Sequence, residues 1–257
     1  MSVLKVSLVQ SKIEWHNPDK NFRSLDSLVY TIEETDLIIL PEMWATGFTM
    51  KAHNYHSFTA EALEYMKKWA KQKDATIAGS LICKEGEKYY NRLYVIEPNA
   101  VEKHYDKKHL FGYAGEDRIY SPGKDQLIFE LNGFKIKAQV CYDLRFPVWA
   151  RNQEDYDVLF YCSNWPDQRL NAWKTLLKAR AIENQCFVLG VNCFGKDVWD
   201  NTYSGHSAII SYDGTTIEKL KGREDVIQAE LSFASLKKFR ENLPFLKDRD
   251  RFNLIGD

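Results

Sequence analysis

Short apolar segments that stop at a polar residue recur along this chain of 257 residues. Residues 36–40 (DLIIL) are wholly apolar after the initial Asp, which is typical of a strand in a sheet covered on both faces. Pro41 ends this strand, because proline cannot donate a hydrogen bond to the strand ladder. Residues 157–162 (DVLFYC) repeat the pattern, and residues 134–140 (FKIKAQV) form a further predicted strand that ends at Cys141. Such strands need a further layer on each face, so we expect a layered α/β fold.

Helices are predicted between the strands. The first opens at residues 17–18 (NP), since Asn caps a helix well and Pro is tolerated in the first turn. Apolar residues at helical spacing predict further helices over residues 59–72 and about 169–184, and a short helix runs from Ser232 to before Pro244. Helices that alternate with strands favour layers of helix on the outside of the sheets.

Hairpin signals indicate that the sheets are mixed. The turns are predicted at residues 85–86 (EG), 132–133 (NG) and 213–214 (DG). We find no internal repeat, low-complexity tract or linker, so one domain over residues 1–257 is expected. Its polar tail, about residues 245–257, is predicted to dock on a neighbouring subunit.

Composition narrows the class of protein. The formal net charge of -1 and the absence of a basic patch disfavour nucleic-acid binding and a membrane surface. No apolar run approaches the roughly 20 residues that span a bilayer, and no signal peptide precedes the first strand. The five cysteines form no CxxC pair, which suits a reducing compartment. We therefore expect a soluble cytoplasmic protein.

Three polar side chains follow predicted strands, namely Glu42, Lys107 and Cys141. Ligands bind beyond the carboxyl ends of strands in α/β sheets, so these ends could meet at one pocket. A thiolate can attack an acyl carbon, a carboxylate can take the thiol proton, and an ammonium can neutralise an oxyanion. The residue types alone leave other roles open, since a strand-end cysteine is usually a small buried hydrophobe. Cys162 ends a similar strand and competes with Cys141.

The motifs around these residues decide between the alternatives. Residues 40–43 (LPEM), 105–111 (YDKKHLF) and 140–147 (VCYDLRFP) closely resemble the three catalytic blocks of the nitrilase, or carbon–nitrogen hydrolase, superfamily. The resemblance implies a four-layer α-β-β-α sandwich that pairs through a helix face into a homodimer or higher homo-oligomer. It also implies that Glu42 is the general base, Lys107 the oxyanion stabiliser and Cys141 the nucleophile.

Two supporting residues follow from the same resemblance. Many members of the superfamily carry a second glutamate before Ser-Pro-Gly, which here is Glu116 before residues 121–123. Glu116 is expected near Lys107, where it would position the substrate or keep the lysine charged. The backbone N–H of Tyr142 could supply a second oxyanion donor.

Within the superfamily, the sequence is most similar to bacterial ω-amidases. Residues 42–48 (EMWATGF), 141–149 (CYDLRFPVW) and 164–166 (NWP) carry this similarity. It implies hydrolysis of the terminal amide of α-ketoglutaramate or α-ketosuccinamate, with release of ammonia. Arg169 is the candidate for the substrate carboxylate, because guanidinium binds carboxylate in a bidentate manner. The aromatic residues expected to wall the pocket are Trp44, Phe48, Tyr142 and Trp165.

Two alternatives to this function remain open. One is another amidase, a carbamoylase or a nitrilase with the same three catalytic residues, and the other is a catalytically silent binding protein. Arg145 is predicted to brace the nucleophile turn or a subunit contact, although it could be a second anion clamp. The six histidines lack the ligand spacing of a zinc site, and no metal or organic cofactor is implied.

Overall fold

The computed structural model of the protein describes residues 2–254. In this range the strands are β1 (Val3–Gln10), β2 (Leu37–Ile39), β3 (Thr76–Glu85), β4 (Lys88–Ile96), β5 (Glu102–Asp106), β6 (Leu127–Leu131), β7 (Phe134–Val140), β8 (Val158–Ser163), β9 (Phe187–Asn192), β10 (Phe194–Lys196), β11 (Thr202–Ile210), β12 (Thr216–Lys221) and β13 (Asp225–Ser232). The α-helices are α1 (Pro18–Thr31), α2 (Ala52–Tyr55), α3 (Thr59–Lys73), α4 (Pro147–Ala150), α5 (Leu170–Asn184) and α6 (Phe233–Asn242).

The strands form two mixed sheets. The first has the order β13-β1-β2-β3-β4-β5, with β1, β2 and β3 parallel and the outer strands antiparallel. The second has the order β10-β11-β9-β8-β7-β6, with β7, β8 and β9 parallel and β12 paired to β11. Each sheet thus has a parallel centre, whose strand ends are the usual place for a binding site.

The two sheets pack face to face through a shared apolar core. Alternate side chains of the central strands point into it, as the two-residue period of a strand requires. Its members come from both sheets and include Val6, Leu8, Leu37, Ile39, Leu93, Ile136, Val140, Phe160, Leu189 and Ile209. The opposite faces of the same strands pack on helices, which completes the four layers.

Helices cover the outer face of each sheet. The first sheet is covered by α1 and α3, whose apolar side chains include Phe22, Leu25, Val29, Met66 and Trp69. The second is covered by α5, which contributes Trp173, Leu177 and Ala181. The predicted α-β-β-α sandwich with mixed sheets is therefore confirmed.

Local signals account for several element ends. The Asn17 side chain accepts from the backbone N–H of Lys20 at the start of α1, and Ser232 caps α6 in the same way. At the turn between β6 and β7, Asn132 and Gly133 both have positive φ, 50° and 81°, as a type I′ turn requires. These three ends were predicted from the residue types alone.

Some elements differ from the prediction. Strand β11 was expected over residues 206–212, but it starts at Thr202 and ends at Ile210. Strand β10 and helix α4 were not predicted, because three or four residues are too few to show a period. The tail that was predicted to dock on a neighbour is described as far as residue 254, and residues 255–257 lie outside the described range. That the whole chain is one domain stays a prediction.

No helix within residues 2–254 is long and apolar enough to cross a membrane.

Candidate active site

The predicted trio lies where the two sheets meet. Glu42 follows β2 and Lys107 follows β5, both in the first sheet, whereas Cys141 follows β7 in the second. Glu42 and Lys107 are both 1% exposed, and Cys141 is partly buried. All three line one cavity. The structure therefore brings together the three residues that the motifs singled out.

Lys107 lies between two buried carboxylates. Its Nζ donates to Oε1 of Glu42 at 2.9 Å and to Oε1 and Oε2 of Glu116 at 3.0 and 2.8 Å. Burial lowers the pKa of Lys107, but the negative charges of Glu116 and Glu42 outweigh burial and hold the pKa well above its usual value. Lys107 is therefore a fixed ammonium at the site. Glu116 lies where the resemblance placed it.

Burial raises the pKa of Glu116, and the Glu42 charge adds to this, while Lys107 opposes both. The backbone N–H of Phe111 also donates to Oε2 of Glu116 at 2.6 Å, which favours its charged form. Two carboxylates thus share one ammonium in a desolvated cluster. Such a cluster depends on each of its hydrogen bonds, because a buried charge without a partner is costly.

Two asparagines that were not predicted as site residues hold Glu42 in place. The Asn91 side chain donates to Oε1 of Glu42 at 2.8 Å and to Oε1 of Glu116 at 3.1 Å. The backbone N–H of Asn164 donates to Oε2 of Glu42 at 3.1 Å, and its side chain donates to the Glu42 carbonyl at 2.7 Å. Asn91 lies inside the strand sequence YYNRLYVI and is fully buried. A polar amide within a largely apolar strand was the signal that the sequence offered.

Cys141 sits at a strained turn. Its φ is 43°, in the left-handed region, and a 3₁₀ turn (Cys141–Arg145) follows at once. A non-glycine residue in this region costs about 1–2 kcal/mol, so the surrounding contacts must hold it there. Burial raises the pKa of the Cys141 thiol, and the charge of Glu42 and a hydrogen bond to it raise the pKa further, while Lys107 lowers it. The resting sulfur is therefore a thiol in the cavity that also holds Glu42.

The competing cysteine is not at the site. Cys162 is fully buried in the core between the sheets and does not line the cavity. Its sulfur lies 3.9 Å from the backbone carbonyl of Gln139. This is the small-hydrophobe role that a strand-end cysteine usually has.

The cavity has a volume of about 370 Å³ and combines aromatic walls with cationic groups. Arg145 and Arg169 both line it, and each guanidinium lies 5.0 Å from the centre of an aromatic ring, Trp165 and Phe111 respectively. Among the residues that the structure describes, neither arginine has a carboxylate partner. Two cations without counter-ions make the cavity suited to an anionic small molecule.

Most residues predicted for the pocket wall line the cavity. Phe48, Tyr142, Trp165 and Arg169 are among its lining residues. Trp44 is the exception, and its predicted place in the wall is wrong. It is fully buried in the outer layer, where its ring lies 5.5 Å from that of Trp69.

One part of the wall was missed. The segment between β10 and β11 contributes Asp197, Trp199 and Asn201, and the start of β11 contributes Tyr203. Asp197 organises this segment by accepting from the backbone N–H groups of Trp199 and Asn201 and from the Tyr203 hydroxyl. A short irregular segment has no periodic signal, and its closeness to the site arises only from the folding of the second sheet.

Comparison with known proteins agrees with the fold and the motifs. Residues 5–241 match the carbon–nitrogen hydrolase family, so the chain belongs to that family. The omega-amidase YafV of Yersinia enterocolitica is 41% identical over 256 residues, which cover 99% of this chain and 100% of that one. The 2-oxoglutaramate amidase of Bacillus subtilis is 34% identical over 252 residues, which cover 95% of this chain and 96% of that one.

A solved structure extends the comparison. XC1258 from Xanthomonas campestris, a CN-hydrolase superfamily protein with an arsenic adduct in its active site, matches with a TM-score of 0.96 and 36% identity. The match covers 99% of this chain and 100% of that chain. The protein is thus an enzyme of the carbon–nitrogen hydrolase family, of the kind that acts on amides.

Proposed function

We propose that the protein is an ω-amidase, which hydrolyses the terminal amide of α-keto acid amides such as α-ketoglutaramate and α-ketosuccinamate. One observation supports this above the others: a cavity that holds the Cys141–Glu42–Lys107 cluster also holds two guanidinium groups that pair with no carboxylate within residues 2–254. The cluster suits attack on an amide, and the arginines suit a substrate that carries a carboxylate. The relatives that are omega-amidases and 2-oxoglutaramate amidases agree with this assignment.

The first half of the reaction forms a thioester. Glu42 takes the Cys141 proton while the sulfur attacks the amide carbon, and Lys107 and the Tyr142 N–H stabilise the oxyanion. Collapse of this intermediate breaks the C–N bond, and protonated Glu42 gives its proton to the leaving ammonia. The raised pKa of Cys141 makes proton transfer to Glu42 necessary during the attack, since the thiol does not ionise by itself near neutral pH.

The second half releases the acid. Glu42, again a carboxylate, takes a proton from water while the water oxygen attacks the thioester carbon. The C–S bond then breaks, the keto acid leaves, and the proton returns from Glu42 to Cys141. Asn91 and Asn164 fix the Glu42 carboxylate for both steps through the hydrogen bonds described above.

The substrate carboxylate is assigned to Arg169, with Arg145 as its neighbour in the cavity. Stacking over Phe111 holds the Arg169 guanidinium at 5.0 Å without consuming its hydrogen-bond donors. Stacking over Trp165 does the same for Arg145, which favours the anion-clamp role over a brace for the nucleophile turn. Phe48 and Trp165 form apolar walls for the methylene chain between the two polar ends.

The test is ammonia release from a panel of α-ketosuccinamate, α-ketoglutaramate, glutamine, a neutral aliphatic amide and a nitrile. A strong preference for the two keto-acid amides is expected. Cys141→Ala should abolish turnover, whereas Cys162→Ala, the matched control, should retain it. Turnover confined to the neutral amide or the nitrile would replace the substrate class, and Cys141→Ala at the wild-type rate would remove the cysteine mechanism.

The two alternative functions give different results in this panel. Another amidase, a carbamoylase or a nitrilase would turn over a neutral substrate better than a keto acid. A catalytically silent binding protein would release no ammonia from any substrate. The second alternative has less support, because the cluster of Glu42, Lys107 and Cys141 is intact.

We also propose a homodimer or higher homo-oligomer in the cytoplasm, as one domain whose tail docks on a partner subunit. Exposed apolar side chains on α4, α5 and the turn after α6, namely Val148, Ile182 and Phe245, support pairing through that side. The free cysteines suit a reducing compartment. Light scattering should give a mass of at least two chains, and Ile182→Glu should lower it.

A further inference from the structure

Asp143 is a fully buried carboxylate two residues after Cys141, and the proposed mechanism gives it no role. Both of its oxygens accept hydrogen bonds. Oδ1 accepts from the backbone N–H of His109 at 3.0 Å and lies 2.8 Å from the His109 Nδ1. Oδ2 accepts from the Tyr105 hydroxyl at 2.7 Å and from the backbone N–H of Val140 at 3.1 Å. These four contacts saturate a carboxylate that would otherwise be costly to bury.

The donors lie on both sides of the lysine of the site. Tyr105 comes two residues before Lys107 and His109 two residues after it. Lys107 follows β5 of the first sheet, while Asp143 belongs to the turn that follows β7 of the second. Asp143 therefore ties the lysine segment of one sheet to the nucleophile turn of the other.

The same carboxylate also closes the nucleophile turn. The backbone N–H of Val140 donates to the Asp143 side chain, so this hydrogen bond joins the residue before Cys141 to a residue after it. It thereby encloses Cys141, whose φ is 43°. Neighbours brace this arrangement, since the Trp149 indole N–H donates to the Tyr105 hydroxyl at 3.0 Å and the His109 ring stacks on Phe146 at 3.7 Å. A strained backbone persists only where surrounding contacts over-determine it.

We propose that Asp143 is a positioning residue, which sets the Cys141 sulfur against Lys107 and Glu42 by tying the nucleophile turn to both flanks of Lys107. The proposal rests on the proposed function of that trio. A displacement of about 1 Å in such a site costs about 100-fold in rate, so the effect is expected in kcat rather than in KM. Asp143 touches neither substrate nor the reacting atoms.

The experiment compares Asp143→Asn with Asp157→Asn as a matched control. Asp157 is also a buried carboxylate, which accepts from the Lys135 N–H and pairs with Arg240, but it lies just before β8 and outside the cavity. In Asp143→Asn the amide NH2 replaces either Oδ1, where it faces the backbone N–H of His109, or Oδ2, where it faces the backbone N–H of Val140. Neither backbone donor can turn away. Both variants should lower the melting temperature. Only Asp143→Asn should lower kcat, by about 100-fold with KM within threefold.

Two further readouts keep the test decisive. Tyr105→Phe removes one donor to Asp143 and should lower kcat about tenfold with unchanged KM, which decides the matter if Asp143→Asn does not fold. The rate of Cys141 alkylation by iodoacetamide, read by mass spectrometry, should change in both variants and stay at the wild-type value in Asp157→Asn. This readout needs no substrate, so it separates failure of this proposal from a wrong substrate class. Wild-type kcat and alkylation in a folded Asp143→Asn, or in Tyr105→Phe, would overturn the proposal.

Discussion

The Nζ of Lys107 lies 2.9 Å from Oε1 of Glu42, with both side chains 1% exposed. The residue proposed as general base is therefore ion-paired with the residue proposed to hold the oxyanion. The same ammonium also pairs with Glu116 at 2.8 Å, so one cation neutralises two buried carboxylates. The charge of Lys107 therefore stabilises both Glu42 and Glu116. Substitutions in this cluster can separate its contribution to the stability of the protein from its contribution to turnover.

Lys107→Met leaves Glu42 and Glu116 buried together without a cation. We expect the free energy of unfolding to fall by about 3–5 kcal/mol, because breaking a buried pair strands the remaining charge. We also expect kcat to fall at least 100-fold through loss of the oxyanion partner. Chemical denaturation and ammonia release measure the two effects.

The double variant Lys107→Met/Glu116→Gln separates them. Removing one carboxylate should restore part of the lost stability, while turnover stays absent. Lys108→Met is the control, since the neighbouring lysine lies over the Trp149 ring and outside the cluster. Equal stability of the single and double variants would contradict the electrostatic account.

Arg169→Lys should raise KM for keto-acid amides far more than KM for a neutral amide. Lysine keeps the charge but loses the bidentate contact, and a hydrogen bond to a charged group contributes about 1.5–3 kcal/mol. This corresponds to a KM increase of about 10- to 100-fold. Steady-state kinetics on both substrate types is the measurement.

Arg145→Lys, examined with the same substrates, tells whether the two arginines share the carboxylate. Arg118→Lys is the control, because Arg118 is exposed and does not line the cavity. Equal KM changes for charged and neutral amides would show that Arg169 contributes only to the shape of the cavity.

Glu42→Gln should abolish turnover and yet accelerate alkylation of Cys141 at neutral pH. The Glu42 charge raises the pKa of the Cys141 thiol, while Lys107 lowers it. Replacing the carboxylate by a neutral amide removes the raising charge and keeps the lowering one, so a larger fraction of thiolate is present. In the wild type, the alkylation rate should rise as the pH is raised above neutral, because the thiol pKa lies well above its usual value.

The rate of iodoacetamide labelling against pH, followed by mass spectrometry, checks both statements. Cys141→Ala identifies labelling at the other four cysteines, which are all buried. Slower labelling in Glu42→Gln would mean that Glu42 acts chiefly as a base for the alkylation, and that its charge matters less than its proton affinity.

The fold was predictable because its signals are local. The strand β2 (Leu37–Ile39), the turn at Asn132 and the caps at Asn17 and Ser232 are each specified by neighbouring residues. The meeting of Glu42, Lys107, Glu116 and Cys141 was predictable through their motifs. The hydrogen bonds from Asn91 and Asn164 to Glu42 were not, because they join segments whose positions depend on the whole fold.

The errors have a common physical cause. Trp44 lies two residues after Glu42, but the backbone turns at Met43, whose φ is 42°, and the indole packs into the outer layer. Asn91 in β4 and Asp197 between β10 and β11 reach the site from distant parts of the chain, so no spacing in the sequence predicts them. A lysine pair such as residues 107–108, taken by itself, is typical of surface charge, whereas Lys107 is buried.

Lys137 provides a test of stability away from the cavity. Its side chain is 1% exposed, and its Nζ donates to the Gln126 side chain and to the Trp149 carbonyl, both at 2.8 Å. It has no carboxylate partner among residues 2–254. Burial therefore lowers the pKa of Lys137 from 10.5 to about 8.

The sign of the resulting pH dependence follows from proton linkage. Between pH 8 and 10.5 the unfolded chain binds the Lys137 proton and the folded chain does not, so folding gains stability as the pH rises. Lys137→Met lacks this titration. The free energy of unfolding of the wild type minus that of Lys137→Met should increase by about 2 kcal/mol from pH 7 to pH 9.5. Taking the difference cancels the other titrating groups, and urea denaturation across this range is the measurement. A difference that stays constant with pH would mean that Lys137 keeps its proton in the folded protein, and that its two hydrogen bonds and the Tyr156 ring at 5.5 Å suffice to stabilise a buried ammonium.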